Sequence, residues 1–443
     1  MTTSLRSFRI GLYEEHLEEI GFLYAQAHAL RRAPAQSWTT AGDFEQRLEA
    51  HTDALVVGGS LALEVCAAHA AADDAGELFG VACVFGRRAE PSLFSRVLDS
   101  ALPGTPEHLR AIADALSLEL PQTWQPGCVR MLGDGDERLE PMLAVVAARR
   151  RLTTDGALLT ALRRGRRPHL PALLWAAGRS TEAGLPALLQ THYVEPEPIL
   201  RIAALRSGLR LHDPQAAALA ADDAELAALA GGRRLALAWV EQLRGADTPL
   251  RVPIALGMLG ELSAVRPLVA LLEHEPLADV AAQALFVITG APLFEQTLVP
   301  ESVQEDELTD GELRRWRNSG EAPRRADGEP FGERVQRLSR SPVAWGEWLA
   351  EHGGQFSAGQ RYRLGQPCTP LVMLQALLVG LPTLPWRELM IDELQARHGI
   401  DPGLDIDLPV AFQRDRLTAA AAQAQASTAR PGAWYHAKAE LQG

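Results

Sequence analysis

Short runs of apolar residues that end in glycine recur along this chain and predict its helices. Four of them end at Gly86 (VACVFG), Gly133 (CVRMLG), Gly178 (LLWAAG) and Gly260 (ALGMLG), and a weaker copy ends near His212 (SGLRLH). In chain order the spacings are 47, 45, 34 and 48 residues, or roughly one copy every 43 residues. Such a period is typical of HEAT-type helical pairs, in which each pair buries its apolar face against its neighbours.

Prolines stand where a second helix of each pair is expected to begin. Pro91, Pro141, Pro186 and Pro267 suit a first helical turn, where no amide donor is needed. The preceding glycines suit the left-handed residue that closes a helix. The stretch DVAAQALFVITG resembles the second half of a HEAT unit. Together these features predict an all-α fold, with a right-handed α-solenoid of HEAT-like helical pairs over residues 61–290.

The N-terminal residues 1–60 form a separate unit in this pattern. Apolar positions spaced three and four apart predict an amphipathic helix over 11–31. A second helix follows Thr40, which resembles a capping box with Asp43. We expect the two helices to cap the otherwise exposed face of the first repeat.

The pattern also changes after the repeats. Residues 291–340 are polar and mostly lack helical periodicity, which predicts a long connection that is either functional or disordered. Apolar periodicity returns in SPVAWGEWLAEHG, TPLVMLQALLVG and PWRELMIDELQARHG, which predict three helices. An alanine-rich helix is expected from about 412 to 429, so residues 341–443 form a C-terminal helical segment.

Length and charge narrow the class of protein. A chain of 443 residues exceeds the size of one compact core, so we expect an elongated or multi-domain molecule. Its hydrophobic fraction of 47% is that of a folded protein, and few aromatic residues favour close helix packing. The net charge of −13 argues against general binding to nucleic acid, whose phosphates repel an acidic surface.

Cysteine usage and hydropathy predict a cytoplasmic protein. Cys66, Cys83, Cys128 and Cys368 are far apart and form no C-x-x-C pair, so no disulfide framework is expected. The first residues lack the apolar region of a signal peptide. The most apolar later stretch, Leu371 to Leu381, is too short to span a bilayer, so no membrane insertion is expected.

The chain resembles an uncharacterised family of proteobacterial HEAT-repeat proteins that are often encoded near type VI secretion genes. Besides the repeats, the resemblance rests on EEHLEEIGFLYAQAHALRR with DFEQRLEAHTDALVVGG, and on WGEWLAEHGGQFSAGQRYRLGQP with PWRELMIDELQARHG. It implies a cytosolic accessory role, such as effector adaptor, chaperone or immunity factor. It supplies no catalytic residues.

The clearest charge feature is a cluster of arginines in an otherwise acidic protein. We call it the arginine cluster, and its members are Arg149, Arg150, Arg151, Arg163, Arg164, Arg166 and Arg167. It is a candidate docking patch for an acidic protein segment or a phosphate-bearing ligand. The alternative is that arginines at helix C-termini face solvent and complement the helix dipole. Trp316, among arginines of the polar connection, is a second candidate for partner binding.

No catalytic, cofactor or metal signature accompanies these candidates. Cys66 and His69 have metal-ligand spacing, but no second pair completes a zinc site, so core packing is the preferred interpretation. His212 with Asp213 resembles a metal-hydrolase dipeptide, but the aspartate suits a helix cap. The acidic run that starts at Gly133 lacks the ligand pattern of a calcium loop and predicts a turn.

The sequence therefore favours a non-enzymatic scaffold, adaptor or chaperone that holds another protein in the concave surface of its solenoid. An immunity protein that binds a toxin is the nearest alternative. A HEAT-fold enzyme acting on nucleic acid is a second alternative, which the acidic net charge disfavours. A discrete dimer through the C-terminal helices stays open.

Overall fold

The computed structural model describes residues 4–33, 37–71, 73–102, 105–301, 303–320, 322–379 and 385–442. Helices make up most of this part of the chain, which confirms the all-α class, and three two-stranded sheets accompany them.

The helices of the first 290 residues are α1 (Leu5–Arg32), α2 (Ala41–Val57), α3 (Gly59–Ala68), α4 (Ala75–Arg87), α5 (Pro91–Ala101), α6 (Pro106–Glu119), α7 (Gln125–Asp134), α8 (Glu140–Arg150), α9 (Ala157–Arg164), α10 (Leu170–Ala177), α11 (Leu185–Gln190), α12 (Pro198–Arg210), α13 (Pro214–Leu219), α14 (Ala224–Ala230), α15 (Arg233–Glu241), α16 (Arg251–Leu259), α17 (Val265–Leu271) and α18 (Glu275–Thr289). The later elements are β1 (Phe294–Pro300), α19 (Asp310–Ser319), β2 (Gly332–Leu338), α20 (Pro342–His352), β3 (Tyr362–Arg363), β4 (Gln366–Pro367), α21 (Pro370–Leu378), α22 (Trp386–His398), α23 (Val410–Gln425), β5 (Tyr435–His436) and β6 (Ala439–Glu440).

Two rows of helices alternate along the chain from α4 to α18. In the first row, α4, α6, α8, α10, α12, α14, α16 and α18 each contact the next. We call the helices between them the second row, and among these α7 contacts α9 and α9 contacts α11. The N-terminal α1 packs against α2, α3 and α4. The first-row helix α16 is apolar on all sides because neighbours surround it, and it is buried from Val252 to Leu259.

The repeated glycines mostly serve close approach between first-row neighbours. A Cβ on Gly86 would lie 2.7 Å from the carbonyl oxygen of Glu119, and one on Gly178 would lie 2.8 Å from the Cα of Ser207. Only Gly260 of the four has a left-handed backbone, with φ of +71°. The prediction that these glycines close their helices in the left-handed conformation is therefore wrong for most of them.

The predicted period of about 43 residues is also wrong. First-row helices end 20 to 33 residues apart, at Arg87, Glu119, Arg150, Ala177, Arg210, Ala230, Leu259 and Thr289. Gly133 contributed to the wrong period because it belongs to α7, a second-row helix, and not to the first row. In addition, α6 and α8 end at leucine and arginine caps, so the glycine signal skips them.

Other helix-boundary predictions have mixed outcomes. Pro91, Pro141, Pro186 and Pro267 all lie in the first turn of a helix, as predicted. The two N-terminal helices are confirmed as α1 and α2. The capping box at Thr40 is wrong, because the Thr40 side chain makes no capping bond and a short 3-10 turn precedes α2.

The polar stretch after α18 contains a β-hairpin that the sequence did not predict. β1 and β2 pair antiparallel from Phe294 opposite Leu338 to Pro300 opposite Gly332, and α19 lies between them. We name residues 294–338 the arm. The hairpin escaped prediction because charged side chains occupy both strands, including the pair Glu295 and Arg337, and hide an alternating pattern.

The C-terminal segment packs back onto the first row. The three predicted helices are confirmed as α20, α21 and α22, and the alanine-rich helix as α23. α22 contacts α12, α14 and α16, and its residues from Leu389 to Leu394 are all buried, including the consecutive acids Asp392 and Glu393.

Gly257 of α16 tests this docking. A Cβ there would lie 2.7 Å from the Trp386 ring and 2.9 Å from the Cα of Ala284, so Gly257→Ala overpacks the contact. We expect Gly257→Ala to lower the free energy of unfolding by about 1–3 kcal/mol in chemical denaturation. The exposed helical Gly346 meets nothing within 4 Å, so Gly346→Ala should stabilise by about 0.5–1 kcal/mol. Equal effects of the two substitutions would contradict the close contact.

Candidate functional site

The arginine cluster is not a free cationic patch, because its first member is buried. Arg149 is 7% exposed and lies between α6 and the C-terminal segment. Its guanidinium pairs with Asp114 at 2.5 Å, Asp405 at 2.6 Å and Asp407 at 3.4 Å. Burial alone lowers the pKa of Arg149, but the three carboxylates outweigh it and raise the pKa. Its role is structural: it ties residues 405–407 to the first row.

Most other members of the arginine cluster are also neutralised or satisfied within the chain. Arg150 donates to the carbonyl oxygens of Ser117, Leu118 and Leu120, and Arg151 pairs with Asp401 at 3.4 Å. The remaining ion pairs are Arg164 with Glu140, Arg166 with Glu137 and Glu140, and Arg167 with Glu195 and Glu197. Arg163 is exposed. Most of the positive charge of the arginine cluster is thus paired with carboxylates of the same chain.

Asp392 of α22 anchors the C-terminal segment to the first row. Its carboxylate accepts from Arg210 at 2.6 Å, from Arg179 at 3.2 Å, and from Arg206. Burial raises the pKa of Asp392, but the three arginines outweigh that effect and hold the pKa below its ordinary value. Because these arginines lie on and after the first-row helices α10 and α12, one carboxylate fixes α22 against both.

The adjacent Glu393 binds a second set of arginines. It pairs with Arg363 at 2.8 Å, with Arg397 at 3.0 Å, and with Arg361. All four side chains are at most 1% exposed. Here too the arginines outweigh burial, and the pKa of Glu393 is lowered.

These arginines also bind the C-terminal ends of first-row helices. Arg361 and Arg363 each donate to the carbonyl oxygen of Met258 at 2.8 Å, in the last turn of α16. Arg397 donates to the carbonyl oxygen of Ala228 at 2.6 Å, in the last turn of α14. Cations are favourable at this end of a helix because its last carbonyls carry partial negative charge. The first-row face at α12 to α16 is thus covered by the chain itself.

Trp316 lies in the arm, on α19. It is half-buried and shares a helix face with Glu312 and Leu313, while the neighbouring Arg314 and Arg317 are exposed. Arg317 pairs at 2.5 Å with Glu305, another residue of the arm. Trp316 therefore remains a candidate docking residue, next to exposed cationic side chains.

A cleft of about 610 Å³ opens where the N-terminal helices meet the C-terminal segment, and we call it the N-terminal cleft. Its walls come from α1, α2, α4 and α6 on one side and from residues 407–411 with Arg414 on the other. The apolar lining includes a stacked pair, Tyr24 on Phe79, with ring centroids 4.5 Å apart. The Tyr24 hydroxyl donates to Asp114 at 2.6 Å. The pKa of Tyr24 is raised, mainly by burial and secondly by the negative charge of Asp114. The volume falls within the range of ligand-binding pockets.

The remaining sequence candidates have structural partners. Burial raises the pKa of Cys66 to about 12, and His69 faces Glu77 at 3.0 Å. Asp213 accepts from the amide of Gln215 at 2.9 Å and caps α13, as predicted. Across the residues that the structure describes, no three His, Cys, Asp or Glu side chains are placed to hold a metal ion.

Sequence reasoning missed both the buried arginine sets and the N-terminal cleft. A partial signal exists, since WRELMIDELQARH carries charged residues at positions that an amphipathic helix would leave apolar. Comparison with models of protein families, with curated proteins and with solved structures finds no match to the chain. In the described part of the chain, no helix has the length and apolarity that crossing a bilayer requires.

Proposed function

We propose that this protein is a non-enzymatic scaffold or adaptor that binds another protein, built as a right-handed solenoid of HEAT-like helical pairs. The alternation of two rows from α4 to α18, in which each first-row helix packs on the next, supports such a stack. Given the resemblance to HEAT-repeat proteins encoded near type VI secretion genes, the specific role we propose is cytoplasmic effector loading. An immunity protein that blocks a toxin is the nearest variant.

The arm is the observation that carries this proposal. The base of the hairpin packs on α18, where the ring centroids of Phe286 and Phe294 are 6.0 Å apart. The ten-residue α19 is marginal in water by itself and gains stability by packing against something larger. The described polar contacts of α19 stay within the arm: Arg317 pairs with Glu305, and Arg315 donates to the carbonyl oxygen of Ala326. Tryptophan beside arginine is a frequent anchor of protein interfaces. We therefore place partner binding on the arm and not in the first-row face that α22 covers.

The alternative of an enzyme acting on nucleic acid gains no support from the arginine cluster. A groove for phosphates needs uncompensated positive charge. Here Arg149 is buried among three aspartates, and Arg164, Arg166 and Arg167 each pair with glutamates.

Removing the arm tip tests the proposal. The Glu301 amide donates to the Phe331 carbonyl oxygen at the end of the hairpin, so residues 302–330 can be replaced by Asn-Gly, which favours a tight hairpin turn. We expect tagged full-length protein to capture a near-stoichiometric protein partner from its native lysate, and the shortened protein to lose it. Arg163→Gln, on the exposed arginine outside the arm, should keep it. Capture of no specific partner by the full chain would overturn the scaffold proposal, and equal capture by the shortened chain would overturn the role of the arm.

Within the arm we expect Trp316 to contribute most. Trp316→Ala should weaken binding of the captured partner by about 30-fold, the effect of losing about 2 kcal/mol from an interface anchor, in calorimetric titration of the purified pair. Val343→Ala removes an accessible apolar side chain, 68% exposed, from α20 outside the arm, and should change affinity less than twofold. Circular dichroism and melting temperature confirm that each variant is folded. Unchanged affinity of Trp316→Ala would contradict its role.

A further inference from the structure

The N-terminal cleft carries an inference independent of the arm. Its charged lining consists of six carboxylates and four arginines, so the cleft has an excess of negative charge. The carboxylates are Asp43, Glu45, Glu49, Asp114, Glu119 and Asp407, and the arginines are Arg31, Arg87, Arg149 and Arg414.

The excess is concentrated around one guanidinium. Arg87 is shared by Glu49, Asp53 and Glu119, each at 2.7 Å. Two of these carboxylates, Glu49 and Glu119, line the cleft, and one arginine cannot neutralise all three. Because Arg87 and Glu119 lie beside the apolar lining of Leu48 and Leu118, a cation entering the cleft gains charge pairing and apolar contact together.

A second feature of the cleft points to an oxygen acceptor on the ligand. Arg31 is 6% exposed, and its Nη1 pairs with Glu45 at 2.5 Å. Its Nε has no hydrogen-bond partner among the described residues. A buried donor without an acceptor is costly, so a ligand oxygen placed beside it contributes binding energy. Glu45 is itself held by the amide of Val410 at 2.7 Å, which fixes this wall of the cleft.

We propose that the N-terminal cleft binds an organic cation: an ammonium or guanidinium group on an apolar stem, with an oxygen acceptor for Arg31. The cation lies against Glu49 and Glu119, and the stem packs on Leu48, Leu118 and the stacked pair of Tyr24 and Phe79. Two sources offer this chemistry, a small amine or guanidine metabolite and a basic side chain of another protein.

The test uses methyl NMR of the full-length protein labelled at leucine and valine, because Leu48, Leu118 and Val410 report on the cleft. The probes are agmatine, which has no acceptor oxygen, and Nα-acetylarginine N-methylamide, which has two. The uncharged control is Nα-acetylnorleucine N-methylamide. We expect saturable shifts of these methyl groups with both cations, and binding at least about tenfold weaker for the uncharged control. Tighter binding of the capped arginine supports the contact with Arg31 and identifies a protein side chain as the source. Tighter binding of agmatine identifies a small amine metabolite as the source and would overturn the oxygen contact with Arg31.

Variants separate charge recognition from the shape of the cleft. Glu49→Gln with Glu119→Gln should weaken cation binding at least about tenfold and leave the uncharged control unchanged. Glu64→Gln, which removes an exposed carboxylate outside the cleft, should have no effect. Ala411→Trp, at an exposed position on the rim, should block every ligand while the protein stays folded. Equal affinity for the charged and uncharged probes, or no shift of the cleft methyl groups at about 10 mM cation, would overturn the proposal.

Discussion

We expect Asp392→Asn to lower the free energy of unfolding by about 3–5 kcal/mol. The substitution preserves volume but leaves Arg179, Arg206 and Arg210 without their shared negative charge, in a place where Arg210 is 1% exposed. The new amide group also directs its own N–H donors toward groups that are donors only. Breaking a buried ion pair by removing one partner is far more costly than losing an exposed one, because the remaining charge stays desolvated.

The measurement is chemical denaturation, together with hydrogen exchange of the α22 amides. Glu388→Gln is the matched control: Glu388 lies one turn earlier in α22, approaches Arg206 at 3.8 Å and is 38% exposed. We expect that control to lose less than about 1 kcal/mol. In Asp392→Asn the amides of α22 should lose protection before those of the first row. A loss below about 1 kcal/mol, or unchanged protection of α22, would show that Asp392 does not anchor this helix.

The arginine sets explain why α22 packs where it does. Apolar burial alone does not fix the axial position of a helix on the first row, because many registers bury similar area. Ion pairs and carbonyl contacts are directional, so Asp392 and Glu393 bind only when α22 lies opposite α12, α14 and α16. Arg361 and Arg397 then satisfy last-turn carbonyls of α16 and α14, which otherwise lack partners.

Helix existence was predictable from the sequence, but the repeat that organises the helices was not. Apolar runs locate α4, α10, α16 and α18, and first-turn prolines locate α5, α8, α11 and α17. The predicted period is wrong because glycine marks local crowding and not the repeat itself. Gly86 and Gly178 lie where a neighbouring helix approaches closely, whereas α6 and α8 end without a glycine. A single sequence does not reveal which helices will be neighbours.

The partners of the arginine cluster were hidden from the sequence for a related reason. The arginine cluster is contiguous in sequence, but its counter-charges are distant: Asp405 and Asp407 reach Arg149 across about 256 residues of chain. Only the fold brings them together. The N-terminal cleft was equally hidden, because Arg31, Glu119 and Val410 come from three separate parts of the sequence. Trp316 stays a prediction, and its signal is local because its own neighbours are Arg314, Arg315 and Arg317.

Mild acid should destabilise the fold through histidines of the C-terminal segment. Burial, assisted by Arg361 and Arg397, lowers the pKa of His398 to about 3. Burial, assisted by Arg397 and His212, lowers the pKa of His436 to about 4. In the unfolded chain both titrate near 6.5, so below that pH the unfolded state binds protons that the folded state does not. Stability is therefore complete above pH 6.5 and falls as the pH drops.

Each histidine costs about 1.4 kcal/mol per pH unit below 6.5, so together they remove about 5 kcal/mol between pH 7.5 and pH 4.5. Buried acids with lowered pKa, such as Asp392, add to the loss of stability only where the carboxyl of the unfolded chain becomes protonated, near and below pH 4. Burial raises the pKa of Glu388, so protonation of Glu388 in mild acid favours the folded state. Denaturation at pH 7.5, 6.0 and 4.5 measures the slope. His398→Phe keeps the ring packed near Tyr435 but cannot titrate, so it should remove about half of the acid loss. His352→Gln, on a side chain 41% exposed, should leave the slope unchanged. A wild-type slope that His398→Phe does not reduce would contradict a buried, neutral His398.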